Sequence, residues 1–390
     1  MVLEKFRINV NDLDNSIKSA MNYLNSKELN EIKFGSFILR RFFTDLAQLD
    51  SKLNEQNQRL DFTIDKFLEN NMIEIIGNSL TIQSDIDIIA ELTNVLVNIT
   101  YFNAKNGNDY IEKFMNKTYM DIFYKLVKLG DNEILENLYQ YLVNCITEND
   151  KFGKYILEDE NFIRLCIMQH LEQNKPIKNF EPESKKSAIL FFISLSKFAN
   201  ILTDKQINTF YKIYERFLGV KIDSEILLNA ICGIRDLFTS GPSKEKIVFN
   251  LIKSNNYDIF NKLFISFSVL LMNEKNFSED IAIYNIEKII THFLSLAEEK
   301  DIIILVKNTQ LINFIDYYLL KLSSKINENL LLDIIVNLFH HMPNLILDMI
   351  KDRKEFLEKI KGHINNENFE KLNLFNSNDP FIRNNNIILE

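Results

Sequence analysis

A four-residue apolar stripe that keeps returning is the feature that most limits how this chain can fold. In DIDIIAELTNVLVNIT, Asp85–Thr100, residues Leu92, Val95, Leu96 and Ile99 fall at i, i+3, i+4 and i+7, one face of a helix. The same spacing recurs at Leu39, Phe42, Phe43 and Leu46, at Leu138, Tyr141, Leu142 and Cys145, and at Ala188, Phe191, Phe192 and Leu195. It returns again at Ile286, Ile289, Ile290 and Phe293, and at Leu331, Ile334, Ile335 and Leu338. LLNAICGIRDLFTSG is a less regular copy. A helix with one such stripe cannot bury it alone, so the copies must stack on one another. Their separation, at or somewhat above the roughly 40–47 residues of armadillo and HEAT repeats, predicts an all-α, right-handed superhelical solenoid of that kind.

Composition agrees with helices throughout. The chain is 46% hydrophobic with 31 Phe, yet holds only 9 Gly and 5 Pro, so it has much to bury and few helix breakers. Residues 1–35, with balanced charge, are expected to form a helical N-terminal cap, residues 36–365 the repeats, and residues 366–390 a polar, partly disordered tail. Within the repeats, Ile111, Phe114 and Met115, then Ile122, Phe123 and Leu126, mark further helix faces. Gln173–Lys186, which carries Pro176 and Pro182, reads as an extended connection between repeats.

A second pattern rides on the first. Asn94 and Asn98 lie one turn apart beside the stripe, and Gln140 and Asn144 hold the same register in the next copy. Ser194, His292 and Asn337 follow in later copies, and in LLNAICGIRDLFTSG the equivalent is either Asp236 or Leu237. A helix that buries one stripe and displays amides one turn apart on another offers hydrogen bonds to something outside.

Several function classes find no support. The formal charge of −9 disfavours a phosphate-neutralising surface, so no nucleic-acid partner is expected, and the sign suits a basic peptide. No nucleophile signature or glycine-rich phosphate loop occurs, and GPSKEK reads as a turn. His340 and His341 are adjacent and cannot share a helix face, so they read as a helix end rather than metal ligands. A non-enzyme without cofactor or metal is expected. The three cysteines, Cys145, Cys166 and Cys232, sit apart among apolar residues, as in a reducing compartment. No apolar run reaches membrane-spanning length and the start lacks a signal peptide, so an intracellular, soluble protein of the cytoplasm or nucleus is expected.

Repeat by repeat, over about residues 36–360, the chain resembles the importin-alpha family of armadillo proteins. ELTNVLVNIT resembles that family's Trp-Ala-Leu-Thr-Asn-Ile-Ala motif, LYQYLVNCITENDKFGKYILEDENFIRLC its following repeat, and DLFTSGPSKEKIVFNLI the Tyr-Leu-Thr-Asp-Gly-Pro-Asn-Glu-Lys-Ile run of a middle repeat. The resemblance implies a concave groove in which Asn98, Asn144, Ser194 and Asn337, with His292, hold a peptide backbone. Where that family has Trp to sandwich lysine stems, this chain has Asn94, Gln140, Leu190, Asp333 and Lys288, and no Trp anywhere. The Arg/Lys-rich importin-beta-binding segment is also missing, so binding to importin-beta is not expected. Two readings follow: an adaptor holding an extended, basic polypeptide, in nuclear protein import, or a scaffold subunit of a larger cytoskeletal or ciliary assembly.

Overall fold

The computed structural model of the chain describes residues 13–55, 64–102, 108–169, 182–198, 200–218, 223–239, 243–254, 257–272, 276–315, 334–335 and 338. Asp333, Asn337 and the tail from 366 to 390 lie outside the described residues, as do the first twelve positions of the expected cap. The fold is all-α, with no strand among the described residues. It is a solenoid-type stack of helical repeats, and it divides into two compact units, Met1–Phe198 and Ala199–Glu390.

In the first unit, α1 (Leu13–Leu24) packs on α2 (Leu29–Glu55). Three-helix repeats follow: α3 (Asp65–Glu69), α4 (Met72–Ile82) and α5 (Ile86–Tyr101); then a 3-10 helix (Asn108–Phe114), α6 (Lys117–Leu129) and α7 (Asn132–Glu148); then α8 (Asp150–Glu158), α9 (Glu160–Ile167) and α10 (Pro182–Ser196). The second unit holds α11 (Asp204–Arg216) and α12 (Ser224–Thr239), then α13 (Ser243–Ser254), α14 (Asp258–Met272) and α15 (Asn276–Leu296), then α16 (Glu299–Asn308).

Local chemistry sets these boundaries. Asp85 caps α5 by accepting from the Asp87 and Ile88 amides, Asp131 caps α7 through the Ile134 amide, and Thr203 with Gln206 closes a reciprocal box at the start of α11. Gly130, at φ 67°, ends α6 in the left-handed conformation that a Cβ would disfavour. The stack is then made by the stripe. Every described stripe residue is buried, none more than 3% exposed. As a result the last helix of each repeat lies beside that of the next: α2 on α5, α5 on α7 and α7 on α10 in the first unit, and α12 on α15 in the second.

Two sequence expectations need correction. The supposed connection Gln173–Lys186 is helical from Pro182 onward, because proline at the first helical position loses no bond and brings its φ already set. Ile111 and Phe114 lie in a 3-10 helix rather than an α-helix, a tighter form suited to the short turn that Asn116 ends by capping α6.

Candidate peptide-binding face

In the first unit the amides flank the stripe as its register requires, and they bond to one another. Asn98 Nδ2 donates to the Asn94 carbonyl oxygen and to Asn94 Oδ1, each at 2.9 Å. Gln140 Nε2 donates to Asn144 Oδ1 at 3.1 Å. Asn144 Nδ2 in turn donates across to α5, to Thr100 Oγ1 at 3.0 Å and the Val97 carbonyl at 3.5 Å. All four side chains are half-buried, so they keep one edge toward solvent. α10 differs: Leu190 is half-buried, while Ser194 is buried and donates its hydroxyl to the Phe191 carbonyl of its own helix at 2.7 Å.

The same register on α2 carries a pair that sequence reading passed over. Arg41 and Asp45 stand beside Leu39, Phe42, Phe43 and Leu46 as Asn94 and Asn98 stand beside their stripe, and they form an ion pair at 3.1 Å. Aligning the α2 stripe with the others finds them. Charge also ties α2 to α5, through Lys33 with Asp87 and Arg40 with Glu91. Burial pushes the Glu91 carboxyl above the usual carboxylate range, and Arg40 pulls it back. Glu133 on α7 adds repulsion, so Asp87, Glu91 and Glu133 share one negative region along the amino-terminal halves of α5 and α7.

In the second unit the register is occupied by different chemistry. Of the two candidates on α12, Leu237 is buried and Asp236 is half-buried, ion-paired to Arg235 at 2.6 Å. Arg235 reaches across to α15 and donates to Asn285 Oδ1 at 2.9 Å, while Asn285 Nδ2 donates to Cys232 Sγ at 3.2 Å. On α15, His292 is half-buried and Lys288 lies over the Tyr284 ring, 5.6 Å from its centroid. Sequence reading thus brought Asn94, Asn98, Gln140 and Asn144 together on adjacent helices of one unit, and Asp236 and His292 on adjacent helices of the other.

Among the described residues, no group of three or more His, Cys, Asp or Glu is placed to hold a metal ion, and no helix is long and apolar enough to cross a membrane. The thiols of Cys145 and Cys166 are buried, and burial pushes both well above the ordinary cysteine range, away from reactive thiolate.

No protein-family model matches the chain, and no curated protein matches it. Solved structures do. SYS-1 in complex with POP-1 superposes with a TM-score of 0.62 at 13% identity, covering 94% of this chain and 63% of SYS-1. Uso1-1 matches with a TM-score of 0.53 at 11% identity, over 90% of this chain and 54% of that one. A designed armadillo repeat protein in complex with the peptide (KR)4 matches at a TM-score of 0.49 and 16% identity, over 71% of this chain and 99% of its own. The chain therefore spans less than two thirds of SYS-1 and of Uso1-1. At such identities the likeness concerns the fold: stacked helical repeats of armadillo type.

Proposed function

We propose that this chain is a non-catalytic protein-binding adaptor of importin-alpha type, holding an extended polypeptide against the third helices of its repeats. The observation that carries the reading is the pairing of Asn94 with Asn98 and of Gln140 with Asn144, half-buried on neighbouring helices α5 and α7. The side-chain bond within each pair can be exchanged for one to a peptide N–H or carbonyl at little net cost, since one hydrogen bond replaces another. Asp87, Glu91 and Glu133 beside them, two of them paired to Lys33 and Arg40, leave a net negative charge that favours a basic segment. SYS-1, on which this chain superposes, is seen in complex with POP-1. A place in nuclear protein import rests on the resemblance of the repeats to the importin-alpha family. Asp236, His292, Ser194 and Asn337 extend the candidate set by register alone.

One observation favours the scaffold reading. Asn144 spends its donor on α5, and Lys33 and Arg40 spend theirs on Asp87 and Glu91, so much of this polar edge already joins repeat to repeat. The two readings part on a direct measurement. Titrating the full chain into a labelled lysine-rich peptide and following anisotropy, the adaptor reading expects saturable binding that weakens with salt and drops about 5- to 30-fold in Asn94→Ala/Asn98→Ala, the loss of one or two hydrogen bonds. Equal affinity in the variant and the parent chain would remove the amides from the site. Absence of binding, together with a stoichiometric complex from the native cell that survives high salt, would favour the scaffold.

A further inference from the structure

On α2 the residue just after the first member of the stripe is Arg40, half-buried and paired with Glu91 of α5, but on five later helices the same position is buried. It is Thr93 on α5, Tyr139 on α7, Ile189 on α10, Ile231 on α12 and Glu287 on α15, each 1% exposed or less. Its surroundings show which way it faces. Tyr139 lays its ring on Phe191 of α10, 5.4 Å between centroids, so the position looks toward the last helix of the following repeat. Arg235, one turn after Ile231, likewise reaches forward to Asn285 of α15. Four of the five occupants suit such a seam: two isoleucines, a tyrosine on a ring, and a threonine whose hydroxyl donates to the Ala90 carbonyl of its own helix at 2.9 Å. Glu287 does not. Both of its carboxylate oxygens are buried without a hydrogen-bond partner, and so is the hydroxyl of Thr291, one turn further along the same face. Ile334 and Ile335, in the stripe of the next copy, are buried as well.

We infer that the buried face of α15 is proton-dependent: Glu287 enters the fold as a neutral carboxylic acid, and loss of its proton places a charge where neither carboxylate oxygen has a hydrogen-bond partner. The charges on the helices packed against α15 are committed elsewhere. On α12, Arg235 pairs with Asp236, and Glu225 is exposed at the start of the helix. On α14, Lys262 pairs with Asp258 and Glu215, and on α13, Lys246 pairs with Asp204 while Glu245 and Lys253 are exposed. Among the described residues, the charge that reaches Glu287 is its neighbour Lys288, which opposes burial only in part; burial wins, pushing the carboxyl from 4.5 up to about 8.

The sign follows from linkage. The folded state holds this proton more tightly than the unfolded chain, so the stabilisation is complete below the ordinary carboxylate range. It falls as pH rises and is spent once pH passes the folded value. Within that window each pH unit multiplies the unfolding equilibrium constant of the second unit by up to about tenfold. Neutral pH lies inside it.

The test compares urea unfolding of the full chain and of Glu287→Gln from about pH 5 to about pH 9. The substitution keeps the shape and removes the titration. The parent chain should lose stability progressively across this range relative to the variant, and the gap should stop widening above about pH 8. Parallel pH profiles in the two proteins would overturn the inference. Hydrogen exchange on the parent chain needs no variant to fold. Corrected for intrinsic exchange, protection of α15 should fall over this range while that of α5 and α7 holds, and an equal change in both places would refute the proposal.

Discussion

The two units solve the same packing problem with different polar chemistry at their seams. Between α5 and α7 the crossing group is a neutral amide, Asn144, half-buried and bonded to Thr100. Between α12 and α15 it is a guanidinium, Arg235, bonded to Asn285, which is only 1% exposed and also serves Cys232. The buried face of α15 contains a carboxyl with no hydrogen-bond partner at all among the described residues. An amide at the edge of solvent can trade one partner for another, whereas a charge bonded to a buried amide cannot be released without stranding it. The first unit is accordingly the better place for reversible capture of a peptide, and the second the place where a change of charge is felt as a change of stability.

The comparison breaks first on the cores, where the units are expected to behave alike. Phe123 on α6 touches Tyr119, Tyr141 and Phe162, with ring centroids 5.8–6.2 Å apart, and Phe293 on α15 meets Tyr257 and Phe260 at 5.9 and 5.1 Å. Both are 0% exposed. Replacing either with alanine removes a ring and leaves a cavity, worth about 3–5 kcal/mol. Because repeat stacks unfold locally when one interface is weakened, the loss should appear as a drop in hydrogen-exchange protection confined to the unit that carries the change. Equal loss in both units from one substitution would mean that they unfold together, and the contrast between them would lose its thermodynamic content.

The seams sharpen it. Asn285→Ala removes a buried amide that bonds both Arg235 and Cys232 inside the second unit and should cost about 1–3 kcal/mol. Asn144→Ala in the first unit removes a half-buried bond that water can replace, and about 0.5–1.5 kcal/mol is expected. Denaturant midpoints followed with a probe in each unit would rank them. A larger cost for Asn144 would show that the first unit depends on its amides for cohesion, and that they are not free to serve a ligand.

Much of this was legible in the residues, and what was not has a common cause. The stripe at Leu92, Val95, Leu96 and Ile99 fixes helix, phase and buried face because apolar burial depends only on spacing along one helix. The register of Asn94, Asn98, Gln140 and Asn144 follows from the stripe for the same reason. Which partner each amide takes does not, since that is decided by the neighbouring helix: Asn144 finds Thr100, and Ser194 turns back to Phe191. Glu287 gives no signal of its own, because nothing near it in sequence reveals that its position is buried. Pro182 reads as a loop marker, whereas its place at the head of α10 makes it a helix starter.

The smallest effect concerns the charges that link α2 to α5. Lys33 and Asp87 form an ion pair, yet Lys33 is 47% exposed and Asp87 70%, so water competes for both groups and salt screens what remains. Asp87 raises the pKa of Lys33, but in solvent this says little about cohesion. Lys33→Ala should leave the denaturant midpoint of the first unit unchanged at physiological salt. It should also free the Asp87 carboxylate, raising affinity for a lysine-rich peptide if the negative region beside the amides is what attracts one. A lower midpoint with unchanged peptide affinity would reverse both halves of that expectation, assigning the pair to the stack and not to the ligand.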